Sequence, residues 1–259
     1  MPSVATPVVL TAPAKLTTRL RITGVRADGY HLLDAEMVSL DLVDVLEIDP
    51  RALDSTVEVV GPSGLPLDVG LHEDNLALRA LGLTGRSARI RITKRISAGA
   101  GLGGGSSDAA AVLRWAGWDD LEAAAALGAD VPFCLVGGRA RVRGIGELVE
   151  PLPFQPRTFT LSRTPLACST PEVYRAWDRL GGPVGSNDND LEPAALVVEP
   201  RLVEWRDRLG DSTGLEPRLA GSGSTWFVEG EFPGEGRTVV RAAPAGEVPP
   251  PEWFSATRR

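Results

Sequence analysis

Ser97-Ala98-Gly99-Ala100-Gly101-Leu102-Gly103-Gly104-Gly105-Ser106-Ser107-Asp108-Ala109-Ala110-Ala111 joins a glycine-rich bend to two hydroxyls and an alanine-rich helix start. Glycine permits positive φ and lets the backbone approach a ligand closely. The first amides of the following helix have no internal partners and carry the positive end of its dipole. Together these features describe an anion site, and phosphate is its natural guest. The plainer readings are a flexible linker and a serine helix cap. Residues 88–93 alternate apolar and polar like a half-buried strand, and residues 109–115 suit a helix, so little length is left for a tether.

The kind of phosphate loop narrows the chemistry. A Walker loop needs GxxxxGK[ST], and no lysine follows these glycines. A dinucleotide fingerprint can be traced through Gly99, Gly101 and Gly104, but it expects an early βαβ unit and an acidic residue at the end of the next strand. Asp119 and Asp120 are near enough in number, yet Trp115 to Trp118 offers no parallel strand before them.

Composition bounds the rest. The 259 residues can bury a substantial core, and 43% hydrophobic with 24% charged residues is ordinary for a globular protein. No stretch approaches a membrane span, and residues 1–12 lack the basic start and apolar core of a signal peptide, so a soluble, cytoplasmic protein is expected. Cys134 and Cys168 stand too far apart for a redox CxxC or a zinc cluster. The net charge of −7 disfavours nucleic acid as a partner, since general binding needs a basic footprint. No protein partner is indicated. Lys15, Arg19, Arg21, Lys94 and Arg95 are the cations closest to the chemistry-bearing segments.

Read coarsely, strands are expected at residues 7–10, 17–23, 36–48, 56–60 and 88–93, with helices near 75–81 and 107–115. Further strands are expected at 139–143, 158–162, 226–229 and 238–242, and helices near 171–180 and 201–209. Several strands precede the first strong helix, which indicates an α+β fold rather than a doubly wound sheet. Pro151, Pro153 and Pro156 interrupt periodic structure, so the expected division is 1–153 and 154–259.

Gly99 to Ala111, read as GAGLGGGSSDAAA, resembles the second motif of the GHMP small-molecule kinases, and within them the 4-diphosphocytidyl-2-C-methylerythritol kinases of isoprenoid precursor synthesis. Other segments match in order. Ala12-Pro13-Ala14-Lys15-Leu16 is similar to the first motif, and Gly24-Val25-Arg26-Ala27-Asp28-Gly29-Tyr30-His31 to the GxRxDGYH that distinguishes the subfamily. His72-Glu73-Asp74-Asn75-Leu76 resembles the segment beside the adenine pocket, and Leu127-Gly128-Ala129-Asp130-Val131-Pro132-Phe133 the catalytic-aspartate motif. Asn189-Asp190-Leu191-Glu192 and Ala220-Gly221-Ser222-Gly223-Ser224 resemble the NDLE segment and the third, glycine-rich motif.

The resemblance implies a two-domain GHMP kinase fold with the active site in the interdomain cleft, the N-terminal domain being the ATP-binding one. It implies ATP and Mg2+ as cofactors and a cytidyl diphosphate alcohol as acceptor, phosphorylated on its 2-hydroxyl. Lys15 and Asp130 would be catalytic, with Asp130 accepting or orienting the hydroxyl proton and Lys15 stabilising the transferring phosphoryl group. Asn75, Leu76, Lys94, Ser97, Gly99, Gly101, Gly103, Gly104, Gly105, Ser106 and Ser107 would bind the nucleotide, with Ser106 or Ser107 the candidates to reach the metal. Whether Lys94 meets adenine, phosphate or solvent stays open. Thr17, Tyr30, His31, Thr170 and Tyr174 would bind the acceptor, with Tyr30 and Tyr174 flanking the pyrimidine.

Two other functions fit the same segments: a GHMP kinase for another small alcohol, and a silent nucleotide-binding paralogue. The chain also departs from the pattern. Thr17 stands where the family has asparagine, Arg19 where it is commonly apolar, and Ser97 where proline opens the loop. A threonine hydroxyl cannot reproduce an amide's hydrogen-bonding geometry. The segment from Ser107 to Asp130 is short, and the tail from Pro244 is rich in proline and glycine in place of a closing helix.

Overall fold

The computed structural model describes residues 7–67, 74–162, 164–246, 248–252 and 254. His72 and Glu73, from the segment assigned beside the adenine pocket, lie outside the described residues. Two long strands organise the fold: β1 (Val8–Val25) and β2 (His31–Asp49) run antiparallel, with Val8 opposite Ile48 and Val25 opposite His31. Separate short strands were expected here because Pro13 interrupts the alternation. The structure carries β1 straight through it. Register shifts between Pro13 and Lys15, between Thr17 and Arg19, and between Ile22 and Gly24 absorb the irregularity, and a bulge is where a strand tolerates a residue without an N–H.

The second edge of β2 is shared among three partners. β4 (Arg89–Thr93) pairs with Val45 to Asp49, β5 (Arg139–Gly144) with Leu33 to Val38, and β10 (Arg237–Ala243) with Ser39 and Leu40. β3 (Thr56–Val60) lies parallel to β4, and β6 (Leu148–Leu152) antiparallel to β5. The sequence pattern did not identify β6, whose Pro151 reads as a breaker. β6 pairs with β5 alone among the described strands, and an edge strand needs no amide from proline on its free side. Residues 153–157, which follow, have no regular structure.

On this sheet lie α1 (Leu76–Thr84), α2 (Gly104–Ala116), α3 (Leu121–Ala125) and α4 (Val131–Val136). Ala109, Ala110, Ala111, Val112 and Leu113 are fully buried in a core with Leu46, Ile48, Ile90, Ile92 and Phe133. The small alanines let α2 sit close against its neighbours, which brings its N-terminus to the cavity described below. In the second half, β7 (Thr158–Ser162), β8 (Arg218–Leu219), β9 (Trp226–Glu229) and β10 carry α5 (Thr170–Arg179), α6 (Glu192–Val198) and α7 (Leu202–Thr213). α3, α4, α6 and β8 are too short to show periodicity in the sequence.

The two halves are joined by a shared core and by polar ties. Leu16, Val38, Leu40 and Ile96 pack with Phe159, Leu161, Phe227 and Val240. Asp190, almost wholly buried, accepts hydrogen bonds from Ile22 N (2.9 Å), Gly185 N (3.0 Å) and Arg21 Nη1 (2.8 Å). The fold is α+β with two domains, and its cleft lies where β1, the glycine loop and the 219–224 turn meet.

Candidate active site

A cavity of about 470 Å3 opens at that meeting place. One wall is the loop before α2. Gly99, Gly101 and Gly103 have φ of +69°, +76° and +66°, a region that L side chains rarely adopt. The crowding is equally restrictive at Gly101, where a Cβ would lie 2.3 Å from the Ala220 carbonyl oxygen and 2.7 Å from that of Gly223. The loop is thus packed backbone to backbone against the third glycine-rich segment. Gly103 caps α2 without a side-chain hydrogen bond, so the first-turn amides of Gly104, Gly105 and Ser106 face the cavity with no side-chain cap at the helix N-terminus.

Against the loop, Lys15 Nζ lies 3.1 Å from Asp130 Oδ2 and donates to Thr17 Oγ1 at 3.1 Å. The Lys15 side chain is 6% exposed and that of Asp130 is 29% exposed, so the lysine is enclosed while the carboxylate faces the cavity. Backbone geometry fixes the lysine: Lys15 N donates to Leu102 O at 3.0 Å, and its aliphatic stem passes Gly103 so closely that a Cβ there would lie 2.7 Å from Cγ. Asp130 sits immediately before α4, whose Pro132 occupies the first turn. Thr17, in place of asparagine, serves as an acceptor for the lysine.

Ser107 is not in the cavity. It is fully buried, and its hydroxyl donates to the Pro13 carbonyl oxygen at 2.6 Å. This corrects its assignment as a nucleotide or metal ligand: helical geometry turns adjacent residues to different faces, so Ser106 lines the cavity while Ser107 fastens β1 two residues before Lys15. Lys94 also differs from expectation. It borders the cavity, but its ammonium is bound to two buried carboxylates, Asp44 and Asp108, the latter at 2.7 Å. Burial works against its charge, yet the Asp108 and Asp44 carboxylates outweigh that and hold it above the usual lysine range. Burial pushes the Asp108 carboxyl up to about 7; Lys94 opposes the shift and Asp44 reinforces it.

Asn75 caps α1, its side chain accepting from Ala77 N (2.9 Å) and Leu78 N (3.4 Å), and with Leu76 it forms the cavity wall beyond Lys94. Ser97 lines the same wall. At the other end, Thr170 and Tyr174 of α5 line the cavity. Thr170 Oγ1 and Ser222 Oγ share a hydrogen bond of 2.9 Å. Burial pushes the Tyr174 phenol well above its usual range, and the Asp130 carboxylate adds to the shift.

His31 packs on Tyr174 with ring centroids 4.8 Å apart and edge-on to Trp177 at 5.5 Å, and its Nε2 meets Asp178 Oδ1 at 2.8 Å. Neither His31 nor Tyr30 is part of the cavity wall. Tyr30, 58% exposed at the β1–β2 turn, is stacked by the Arg26 guanidinium at 5.7 Å. The expected pair of Tyr30 and Tyr174 around one ring is therefore not assembled; His31 is the ring that reaches Tyr174. Sequence reading also gave no role to Asn189, whose buried amide donates to Leu219 O (2.9 Å) and Gly221 O (2.7 Å) and so shapes the 219–224 turn. Asp44, Asp108, Trp177 and Asp178 were likewise missed as neighbours of the site. The position of Asp108, four residues beyond Gly104 on the helix, was the one signal available for these.

The chain resembles known proteins along most of its length. Residues 75–138 match the model of the GHMP kinases N terminal domain. The chain is 38% identical to the 4-diphosphocytidyl-2-C-methyl-D-erythritol kinase of Paracoccus denitrificans, covering 95% of this chain and 94% of that protein. It is also 38% identical to the protein of that name from Cereibacter sphaeroides, over 94% and 95%. A crystal structure of 4-(cytidine 5'-diphospho)-2C-methyl-D-erythritol kinase superposes with a TM-score of 0.68 at 32% identity, covering 91% of this chain and all of the other. A mevalonate kinase structure, at 14% identity and a TM-score of 0.56, shares the fold.

Proposed function

Since this chain belongs to the 4-diphosphocytidyl-2-C-methyl-D-erythritol kinases, a branch of the GHMP kinases, we propose that the Lys15–Asp130 pair facing the glycine loop is where its phosphoryl transfer takes place. The protein is an ATP-dependent small-molecule kinase that phosphorylates 4-diphosphocytidyl-2-C-methyl-D-erythritol in isoprenoid precursor synthesis. The acceptor position is the 2-hydroxyl. The observation that carries the site reading is the 3.1 Å contact of Lys15 Nζ with Asp130 Oδ2 beside the N-terminus of α2, where Gly103 supplies no side-chain cap.

Phosphoryl transfer asks mainly for alignment and charge stabilisation. The amides of Gly104, Gly105 and Ser106 cradle the phosphates, and Asn75, Leu76 and Ser97 border the nucleoside. Asp130 orients the acceptor hydroxyl and takes its proton, while Lys15 neutralises charge on the transferring group. Thr170 and Tyr174 hold the acceptor, with His31 behind Tyr174 and Thr17 steadying Lys15. Tyr30, at the turn, closes on the cytidyl group from outside the cavity. Asp178 on His31 Nε2 leaves Nδ1 as the ring nitrogen free to read a base edge.

Among the described residues no cluster of three His, Cys, Asp or Glu side chains could hold a metal ion. Mg2+ fits a cavity edged by serine hydroxyls, since it keeps waters and substrate phosphates as ligands and takes only one or two protein oxygens. Ser106 Oγ is the hard oxygen that would hold it, and it would neutralise phosphate charge. The lapse of regular structure over residues 153–157 supports a domain division at 153–154. No helix among the described residues is long and apolar enough to cross a membrane, and both cysteines are free thiols; these support action in the cytoplasm.

The test is ADP release by the purified protein with ATP and Mg2+ over a panel of acceptors. The panel holds the cytidyl diphosphate alcohol, free methylerythritol, mevalonate, galactose and homoserine. Turnover confined to the cytidyl compound is expected. Turnover of another alcohol, or ATP binding with no turnover of any, overturns the acceptor assignment.

A further inference from the structure

Lys94, Asp44 and Asp108 come from three separate elements and meet at the base of the glycine loop. Asp44, on β2, is wholly buried; its Oδ1 accepts the backbone amides of Arg95 and Ile96 (2.9 Å for the latter), the two residues that lead from β4 into the loop. Its other oxygen pairs with the Lys94 ammonium. The same ammonium donates to Asp108 Oδ2 at 2.7 Å, on the first turns of α2. A Cβ at Gly104 would lie 3.1 Å from Lys94 Nζ and 2.9 Å from Ile96 Cγ2, so the helix start rests directly on this charge. One ammonium thus ties the entry of the loop to its exit.

Nothing in phosphate binding requires that tie, because the loop offers the phosphates its amides and Lys94 directs two of its three donors to protein carboxylates. Two carboxylates share a single cation in a buried place, and Asp108 Oδ1, also buried, has no hydrogen-bond partner. Such an arrangement is costly to bury and, with one partner removed, leaves charge stranded. Its geometric effect is to fix the spacing between Ile96 and Gly104, and with it the direction in which the first-turn amides point.

We propose that the Asp44–Lys94–Asp108 triad is a positioning clamp for the nucleotide loop, and that Lys94 sets the affinity for ATP through the loop rather than by touching the nucleotide. This rests on the reading that the loop takes ATP. If that reading fails, the unchanged protein shows no ATP-dependent turnover; if only the clamp fails, the unchanged protein turns over and the variants below misbehave.

The experiment is steady-state kinetics with ATP and the cytidyl diphosphate acceptor varied separately. Lys94→Met is expected to raise the KM for ATP about tenfold or more by stranding two carboxylates, with kcat and the acceptor KM within about threefold. Asp108→Asn alone keeps Lys94 and its charge but weakens the tie to α2, and it is expected to raise the ATP KM about threefold or more. An ATP KM unchanged or lowered in Asp108→Asn, with the ammonium still present, makes Lys94 a direct ligand and overturns the clamp. Amide hydrogen exchange without nucleotide provides a second reading that does not depend on the Lys94 variants folding. Asp44→Asn is expected to speed exchange of residues 95–105 about tenfold, and unchanged exchange there overturns the proposal as well.

Discussion

The two ends of the cavity are built in different ways. The phosphate end is made of backbone: positive-φ glycines, uncapped helix amides and carbonyl-to-loop contacts that leave no space for even a methyl group at Gly101. The end proposed for the acceptor is made of side chains: Thr170 and Tyr174 of α5 line it, and His31 from β2 packs on Tyr174 from outside the wall. A backbone site is rigid and indifferent to the rest of the substrate. A side-chain site selects, and tolerates substitution at the expense of affinity for one partner alone.

The contrast can be broken by substitutions at either end. Gly101→Ala puts a methyl against two carbonyl oxygens at a strained φ, so ATP turnover should fall by about a hundredfold or more. Activity near that of the unchanged protein would show the loop to be looser than its packing implies. Tyr174→Ala should raise the acceptor KM by about tenfold, through loss of a buried ring, and leave the ATP KM within twofold. An equal change in both constants would erase the division between the ends.

Smaller effects sharpen the account. Thr17→Asn introduces a longer amide beside Lys15, and the rate should fall by about threefold because the site is packed around the hydroxyl bonded to the lysine; a marked gain would mean that threonine handicaps this chain. Ser107→Ala removes a buried hydrogen bond to Pro13 and should lower stability by about 1 kcal/mol in denaturant unfolding, with the ATP KM within twofold. A large KM change would return Ser107 to the nucleotide site.

How much could be read in the sequence follows the same division. The glycine-rich bend leading into a helix was legible from the strand pattern before it and the alanines after it, and Lys15 and Asp130 came from the resemblance of the segments around them. The resemblance also places Lys15 beside Asp130, and their 3.1 Å approach agrees with it; the packing of β1 and α4 that brings them together was not legible. The serines at 106 and 107 are indistinguishable by type, and only the helix phase sends one to the cavity and the other to Pro13. Lys94 looked like a ligand because its partner Asp44 is fifty residues away. β6 was hidden by Pro151, which only an edge position excuses.

The central claim is that the chemistry occurs between the Lys15–Asp130 pair and the open amides of α2. It is tested most directly by measuring both turnover and ATP affinity in Asp130→Asn, a change that keeps the side chain's shape and removes its capacity to accept the proton. The account predicts a kcat lower by about 10²–10⁴-fold with ATP affinity nearly unchanged. A variant that keeps its full rate would contradict it.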